Sequence, residues 1–202
     1  MSFETQKYEI IKHAITKDIV EFCYTYFLMK RDAFDFMSEN NMLPNSPLRF
    51  FGNRVDPQTP GVYSHYGDFA METLLLKCMP IVEAKTNLKL VPTYSYARIY
   101  EKGSELKIHT DRPSSEVAVS LNIGGDSWPL YLGPNIKIDL DPGDLVVYAG
   151  NELEHWRNKF EGDTCVQAFL MYNHVDGPFA KTNKFDGRPL LGLPYAEYEE
   201  RK

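Results

Sequence analysis

Cysteine, histidine and basic residues are all scarce in this sequence, and each shortage removes a class of function. There are three Cys in 202 residues, Cys23, Cys78 and Cys165. They are odd in number and not closely spaced, so neither a disulfide framework nor a thiolate zinc site is indicated. The 22 Lys+Arg fall short of the 28 Asp+Glu, leaving a net charge of −6. Nucleic acid and anionic membrane surfaces are therefore disfavoured as partners, because phosphate binding draws on a basic surplus. No run approaches the roughly 18 apolar residues of a membrane span. The opening MSFETQKYEI also lacks the basic-then-apolar order of a signal peptide. No G-x-S-x-G elbow or phosphate-binding glycine loop is present. At 43% hydrophobic residues the chain has enough apolar material for one sizeable core. The expectation is a soluble, acidic, single-domain protein of a reducing, cytoplasmic compartment, in which the five His are the residues to watch.

What is there divides into three parts. In residues 1–87, Tyr8–Ala14 reads as a short strand. A helix follows from Ile15, capped by Thr16, with Ile19, Val20, Cys23 and Phe27, extended by Met29 and Phe34, as its 3.6-period stripe. It should stop near Asn40-Asn41. Residues 41–67 are rich in Pro, Asn and Gly and read as loops, a possible lid. A second helix begins at Asp68, burying Met71, Leu74, Leu75, Cys78 and Ile81. Residues 88–173 change texture, with six or seven β-type runs separated by turn signals such as EKGSE and DPGD. Residues 174–202 have little periodicity and should wrap the surface. The fold class is α+β, mainly β, a barrel or sandwich with N-terminal supporting helices.

The chemistry gathers around His109-Thr110-Asp111. Strand residues at i and i+2 share a face, so His109 and Asp111 can project into one cavity. A neutral imidazole and a carboxylate suit a divalent metal, and three facial ligands leave open positions, as in non-haem Fe(II) oxygenases. His155 lies 44 positions after Asp111, behind the segment DPGDLVVYAGNELEH. Intervening strands can return the chain there to the first pair. His13, His65 and His174 have no partner pattern. Arg112 follows the pair and belongs at a cavity mouth, where it pairs with an acid or touches substrate. Trp128 and Trp156 lie near the expected opening.

The order of these motifs resembles the double-stranded β-helix (jelly-roll, cupin-like) core of Fe(II)/2-oxoglutarate-dependent dioxygenases, and most of all the prolyl 4-hydroxylase-like group. The resemblance covers about Tyr94 to Tyr172. It rests on Tyr100-x-x-Gly103, Leu106-x-x-His109-x-Asp111, Ser120-Leu121-Asn122, Asp141-Pro142-Gly143-Asp144-Leu145 and the distal His155. It implies that His109, Asp111 and His155 bind Fe(II) as the catalytic metal. 2-Oxoglutarate would chelate that iron and O2 would join it, with oxidative decarboxylation to succinate and CO2 coupled to hydroxylation. The substrate would be a peptide or protein side chain (prolyl by analogy) or a small molecule, and the enzyme a monomer or weak homodimer. Tyr100 takes the family's role of a hydroxyl that holds 2-oxoglutarate.

One departure stands out. The family usually has Arg or Lys nine to twelve residues after the distal His, yet that stretch reads Thr164, Cys165, Val166, Gln167. A bare buried carboxylate is costly. Arg157, at i+2 from His155, is the first candidate for the missing cation. Arg98, on the same face as Tyr100, is second, and Lys107, at i−2 from His109, is third. Two other readings remain: a barrel that binds without turnover, and a cupin-like iron enzyme that does not use 2-oxoglutarate.

Overall fold

The computed structural model describes residues 2–44 and 49–194. A short helix, α1 (Phe3–Gln6), which the sequence reading did not include, leads into β1 (Tyr8–Ile11). Helix α2 (Lys17–Glu39) starts from Thr16 and buries Val20, Cys23, Phe27 and Phe34. Thr16 occupies the cap position without a side-chain bond. Met29 is 66% exposed, so the buried stripe is narrower than the sequence periodicity extends. Helix α3 (Phe69–Thr86) is capped by Asp68, whose carboxylate accepts from the N–H groups of Ala70 and Met71. It closes at Asn87 in the left-handed conformation. Its buried face runs through Val82 to Thr86, with Ile81 half-buried.

Between the helices lies β2 (Tyr63–Tyr66). Then come β3 (Leu90–Glu101), β4 (Leu106–His109), β5 (Val117–Gly125), β6 (Leu130–Leu132) and β7 (Ile136–Ile138). They are followed by β8 (Leu145–Ala149), β9 (His155–Arg157) and β10 (Thr164–His174). All pairings are antiparallel. A six-stranded sheet has the order β1-β8-β5-β10-β3-β2 and a four-stranded one the order β4-β9-β6-β7, a jelly-roll-like arrangement. Loops dominate the 41–67 segment as its composition indicates, with β2 as one short strand added to the sheet edge beside β3. Four residues carry too little alternation to signal a strand.

The central strands β3, β5 and β10 are buried on both faces, and alternation decides what each face meets. Val119, Leu121 and Ile123 of β5, with Val166, Ala168 and Leu170 of β10, pack with α2 and α3 residues in one core. Tyr94 and Tyr100 of β3, with Cys165, Phe169 and Met171 of β10, face the smaller sheet and form a second. All three cysteines are free and buried. No helix among the described residues is long and apolar enough to cross a membrane.

Two irregular segments are held by charge. Arg54 grips Asp35 of α2 through Nε (2.7 Å) and Nη2 (2.6 Å), and Asp56 is bound to Arg98. The described part of the 41–67 segment is thereby tied to α2 and β3 and lines the cavity described below, while residues 45–48 lie outside the described ones. The C-terminal segment does more than wrap the surface. After α4 (Ala180–Asn183), Arg188 is buried against Glu72 of α3 at 2.6 Å. It also donates to the carbonyls of Leu193 (2.6 Å) and Thr93 (3.1 Å). The Gly192 N–H donates to the second Glu72 oxygen.

Removing one partner of such a pair strands the other charge in the interior. Arg188→Ala should lower stability by about 3–5 kcal/mol in urea unfolding. The double variant Glu72→Leu/Arg188→Met should recover most of that loss, and a single variant as stable as the parent would show the pair to be incidental.

Candidate metal centre and pocket

β4 and β9 pair so that His109 lies directly opposite His155. Just past the end of β4, the Asp111 N–H donates to the Gly150 carbonyl (2.8 Å), which turns the carboxylate inward. His109 Nε2 and His155 Nε2 come to 3.7 Å and 3.6 Å from Asp111 Oδ1. One ligand atom from each residue falls within 4.8 Å of the others. The structure thus brings together the three residues that the sequence spacing singles out as candidate metal ligands.

The tautomers are set by the backbone. The Lys107 carbonyl accepts from His109 Nδ1 at 2.8 Å and the Leu153 carbonyl from His155 Nδ1 at 3.0 Å. A carbonyl can only accept, so each Nδ1 carries the proton and each neutral ring offers a lone pair at Nε2. Burial, then repulsion from His155, holds the His109 pKa below its usual value, favouring that neutral form. Asp111 Oδ2 is buried without a hydrogen-bond partner among the described residues. An orphaned carboxylate oxygen beside two imidazoles aimed at one point fits a divalent metal with oxygen and nitrogen preference.

These groups open into a cavity of about 500 Å³ also lined by Tyr66, Tyr94, Tyr96, Arg98 and Arg112. Arg98 lines the cavity, but its charge is already answered. Nε and Nη2 both reach Asp56 Oδ2 (2.8 Å and 2.6 Å), and Nη2 also reaches Gln58 (2.7 Å). Burial opposes that charge, yet Tyr100, Asp56 and Tyr96 together hold the Arg98 pKa above the usual arginine value. Arg98 Nη1 donates to the Tyr100 hydroxyl at 3.1 Å, so the two do share a face.

Arg157 is different. It is 1% exposed and forms no ion pair among the described residues. Its Nη1 donates to the Trp128 carbonyl, and Nη2 to Ser120 Oγ (3.1 Å) and Gln167 Oε1 (3.2 Å), while Nε has no partner. Burial lowers its pKa from the arginine value. A guanidinium nonetheless keeps its proton in proteins, so a whole charge stands unanswered by any acid. Gln167, in the 164–167 stretch without a cation, is the neutral group against which this cation rests. Arg157 and Tyr100 are the next inward residues after His155 and Arg98 on β9 and β3, beyond the residues that line the cavity.

Three expectations are corrected. Lys107 is exposed, because a bulge between Leu106 and His109 breaks the i−2 relation to the site. Trp128 is buried against Tyr100 and Phe160, away from the opening. Trp156 stacks on Tyr131, and neither Trp lines the cavity. Sequence reasoning also missed Asp56, Tyr66 and Asp186, whose roles depend on partners 40 or more positions away.

No family model matches the sequence, and no curated protein matches it. Solved structures do match by fold. A Pseudomonas putida prolyl-4-hydroxylase aligns at TM-score 0.60 and 17% identity over 85% of this chain and 95% of its own. A viral collagen prolyl hydroxylase from Paramecium bursaria Chlorella virus-1, in complex with 2-oxoglutarate, aligns at 0.58 and 11% over 85% and 98%. HygX from Streptomyces hygroscopicus, with nickel and 2-oxoglutarate bound, aligns at 0.57 and 14% over 86% and 85%. The fold is thus one used by prolyl hydroxylases and other iron- and 2-oxoglutarate-dependent oxygenases.

A methyl group at Gly150 would stand 2.6 Å from Asp111 Oδ2 and 2.5 Å from the Ser115 carbonyl. Gly150→Ala should therefore displace the carboxylate and weaken nickel binding by about 10-fold or more, on the scale of outer-shell lesions at metal sites. Calorimetric titration of a variant with parental circular dichroism checks this, and unchanged affinity would remove Asp111 from the ligand set.

Proposed function

We propose that the chain is an Fe(II)- and 2-oxoglutarate-dependent oxygenase that hydroxylates a peptide side chain, of prolyl type by analogy, or a small molecule. The two sheets are read as a double-stranded β-helix, in a soluble, cytoplasmic protein that is a monomer or weak homodimer. The observation that carries the reading is the pairing of the His109-Asp111-His155 group with an acid-free buried guanidinium two residues beyond His155. When bound, iron and 2-oxoglutarate supply the oxidising power to insert an oxygen atom from O2 into a substrate C–H bond, with release of succinate and CO2.

The chain's own residues have separable tasks in this reading. His109 and His155 present Nε2 lone pairs because Lys107 and Leu153 hold their Nδ1 protons. Asp111 supplies the anionic ligand and lowers the charge a bound metal leaves in the interior. Arg157 answers the distal carboxylate of 2-oxoglutarate, replacing weak contacts to neutral oxygens with a charge-assisted pair. Tyr100, its hydroxyl already aligned by Arg98, adds a hydrogen bond to the same co-substrate. Asp56 keeps Arg98 occupied, so among the described residues Arg157 is the buried cation left without an acid, to meet one free carboxylate. The same cation removes the main reason for reading the barrel as a binding module without turnover.

Anaerobic addition of Fe(II) and 2-oxoglutarate should raise a weak visible metal-to-ligand charge-transfer band, absent in His109→Ala. Iron binding without the band would sink the 2-oxoglutarate assignment and favour the cupin-like reading. Arg157→Gln should raise the 2-oxoglutarate concentration for half-saturation by about 10-fold or more, since a charge-assisted pair is worth roughly 1.5–3 kcal/mol. Arg98→Gln should shift it less. In Arg157→Gln/Gln167→Lys the cation returns to the neighbouring strand, and part of the affinity should return with it. A larger effect at Arg98 than at Arg157 would move the anchor to Arg98.

A further inference from the structure

The C-terminal segment reaches the cavity mouth through a strained turn. Phe185, Asp186 and Gly187 all have positive φ, 54°, 57° and 73°, a conformation that costs the two non-glycine residues steric energy. Arg188 secures the turn by donating to the Phe185 carbonyl from Nε (2.8 Å) while its Nη2 is buried on Glu72. The result is a carboxylate delivered to a defined place. Asp186, whose side chain is 5% exposed, accepts from the Tyr66 hydroxyl (2.6 Å) and from Arg112 Nη2 (2.6 Å).

Arg112 gains a fixed orientation from this. Its guanidinium lies 4.5 Å from the Tyr94 ring centroid, is tied to Asp186 by one nitrogen, and lines the cavity next to Asp111. Beyond Asp186 it interacts with the Tyr94 hydroxyl, and half of the side chain is exposed, leaving part of the guanidinium edge open to the cavity mouth. Around it the hydroxyls of Tyr66, Tyr94 and Tyr96 are engaged by Asp186, Ser115 and Asp56, and Leu106, Leu130, Phe169 and Met171 add apolar wall. We infer that Arg112 is the substrate-binding group of the pocket mouth, and that it takes a carboxylate carried on a ring-shaped or otherwise apolar body. A planar guanidinium with a solvent-exposed edge suits a carboxylate's two oxygens better than an amide's single one. Stacking on Tyr94 and the bond to Asp186 remove most of the ordering cost before anything binds. The inference rests on the oxygenase reading for what is done to the substrate, but not for the binding itself.

The test compares phenylacetate with phenylacetamide, two ring-bearing probes of nearly equal shape, by calorimetric or saturation-transfer NMR titration. It uses protein with nickel and 2-oxoglutarate added, and the uptake of both is measured in the same samples. Phenylacetate should bind about 10-fold more tightly than the amide. Arg112→Gln should abolish that preference, and Arg112→Lys should keep part of it. Equal affinities, binding of neither probe, or a preference that survives Arg112→Gln would overturn the inference. If the preference depends on Arg112 in a protein that takes up neither nickel nor 2-oxoglutarate, the carboxylate site stands and the oxygenase reading fails.

Discussion

A guanidinium enclosed by two sheets without an acid to answer it is the constraint around which the interior is arranged. Leaving such a charge unpaired costs several kcal/mol after relaxation. The fold limits that cost by turning neutral oxygens toward Arg157: the Trp128 carbonyl, the Ser120 hydroxyl and the Gln167 amide. Gln167 in turn donates to Asn122, and Asn122 donates to the Leu140 carbonyl at 2.7 Å, so the polar ring extends across β5 and β10. The tyrosine and tryptophan rings beside it exclude water and supply a π face, with Trp128 5.2 Å from the guanidinium. A partly answered charge in a dry site is poorly explained as a stabilising device. It makes better sense as half of an interaction whose other half is a ligand.

The remaining charges of the pocket are sorted by the segments outside the barrel. The 49–62 segment brings Asp56 to Arg98, and the C-terminal segment brings Asp186 to Arg112. Two arginines that would otherwise compete for an incoming dicarboxylate are thereby occupied to different degrees. Arg98 is buried with three acceptors around it, whereas Arg112 retains an open edge. The barrel strands supply the metal ligands and the deep cation, while the irregular segments set which other cations remain available. Changes in those segments could retune the pocket without disturbing the metal centre.

Legibility in the sequence follows the range of the interactions. The strand-rich middle and the two long helices depend on periodicity and local chemistry, and they were readable. So was the inward direction of Arg157, which needs only the two-residue repeat of a strand from His155. Lys107 was misplaced by the same rule, because a bulge adds a residue that no local pattern announces. Met29 was placed in a stripe that tertiary packing leaves uncovered. Asp56, Tyr66 and Asp186 sit in segments with no period, and each acquires meaning only from a partner remote in sequence. Asp186 and Arg112 are 74 positions apart, beyond any spacing rule.

The burial of Arg188 on Glu72 also has a bearing on synthesis. All ten strands are complete by His174, so a nascent chain of that length already contains both sheets and the three proposed metal ligands. The segment carrying Asp186 follows β10 and is made after both sheets, and its anchor lies in a helix made more than a hundred residues earlier. Until then Glu72 lacks its counter-charge and Arg112 its tether. The residues proposed to hold the metal can thus come together before the segment that orients Arg112 is in place.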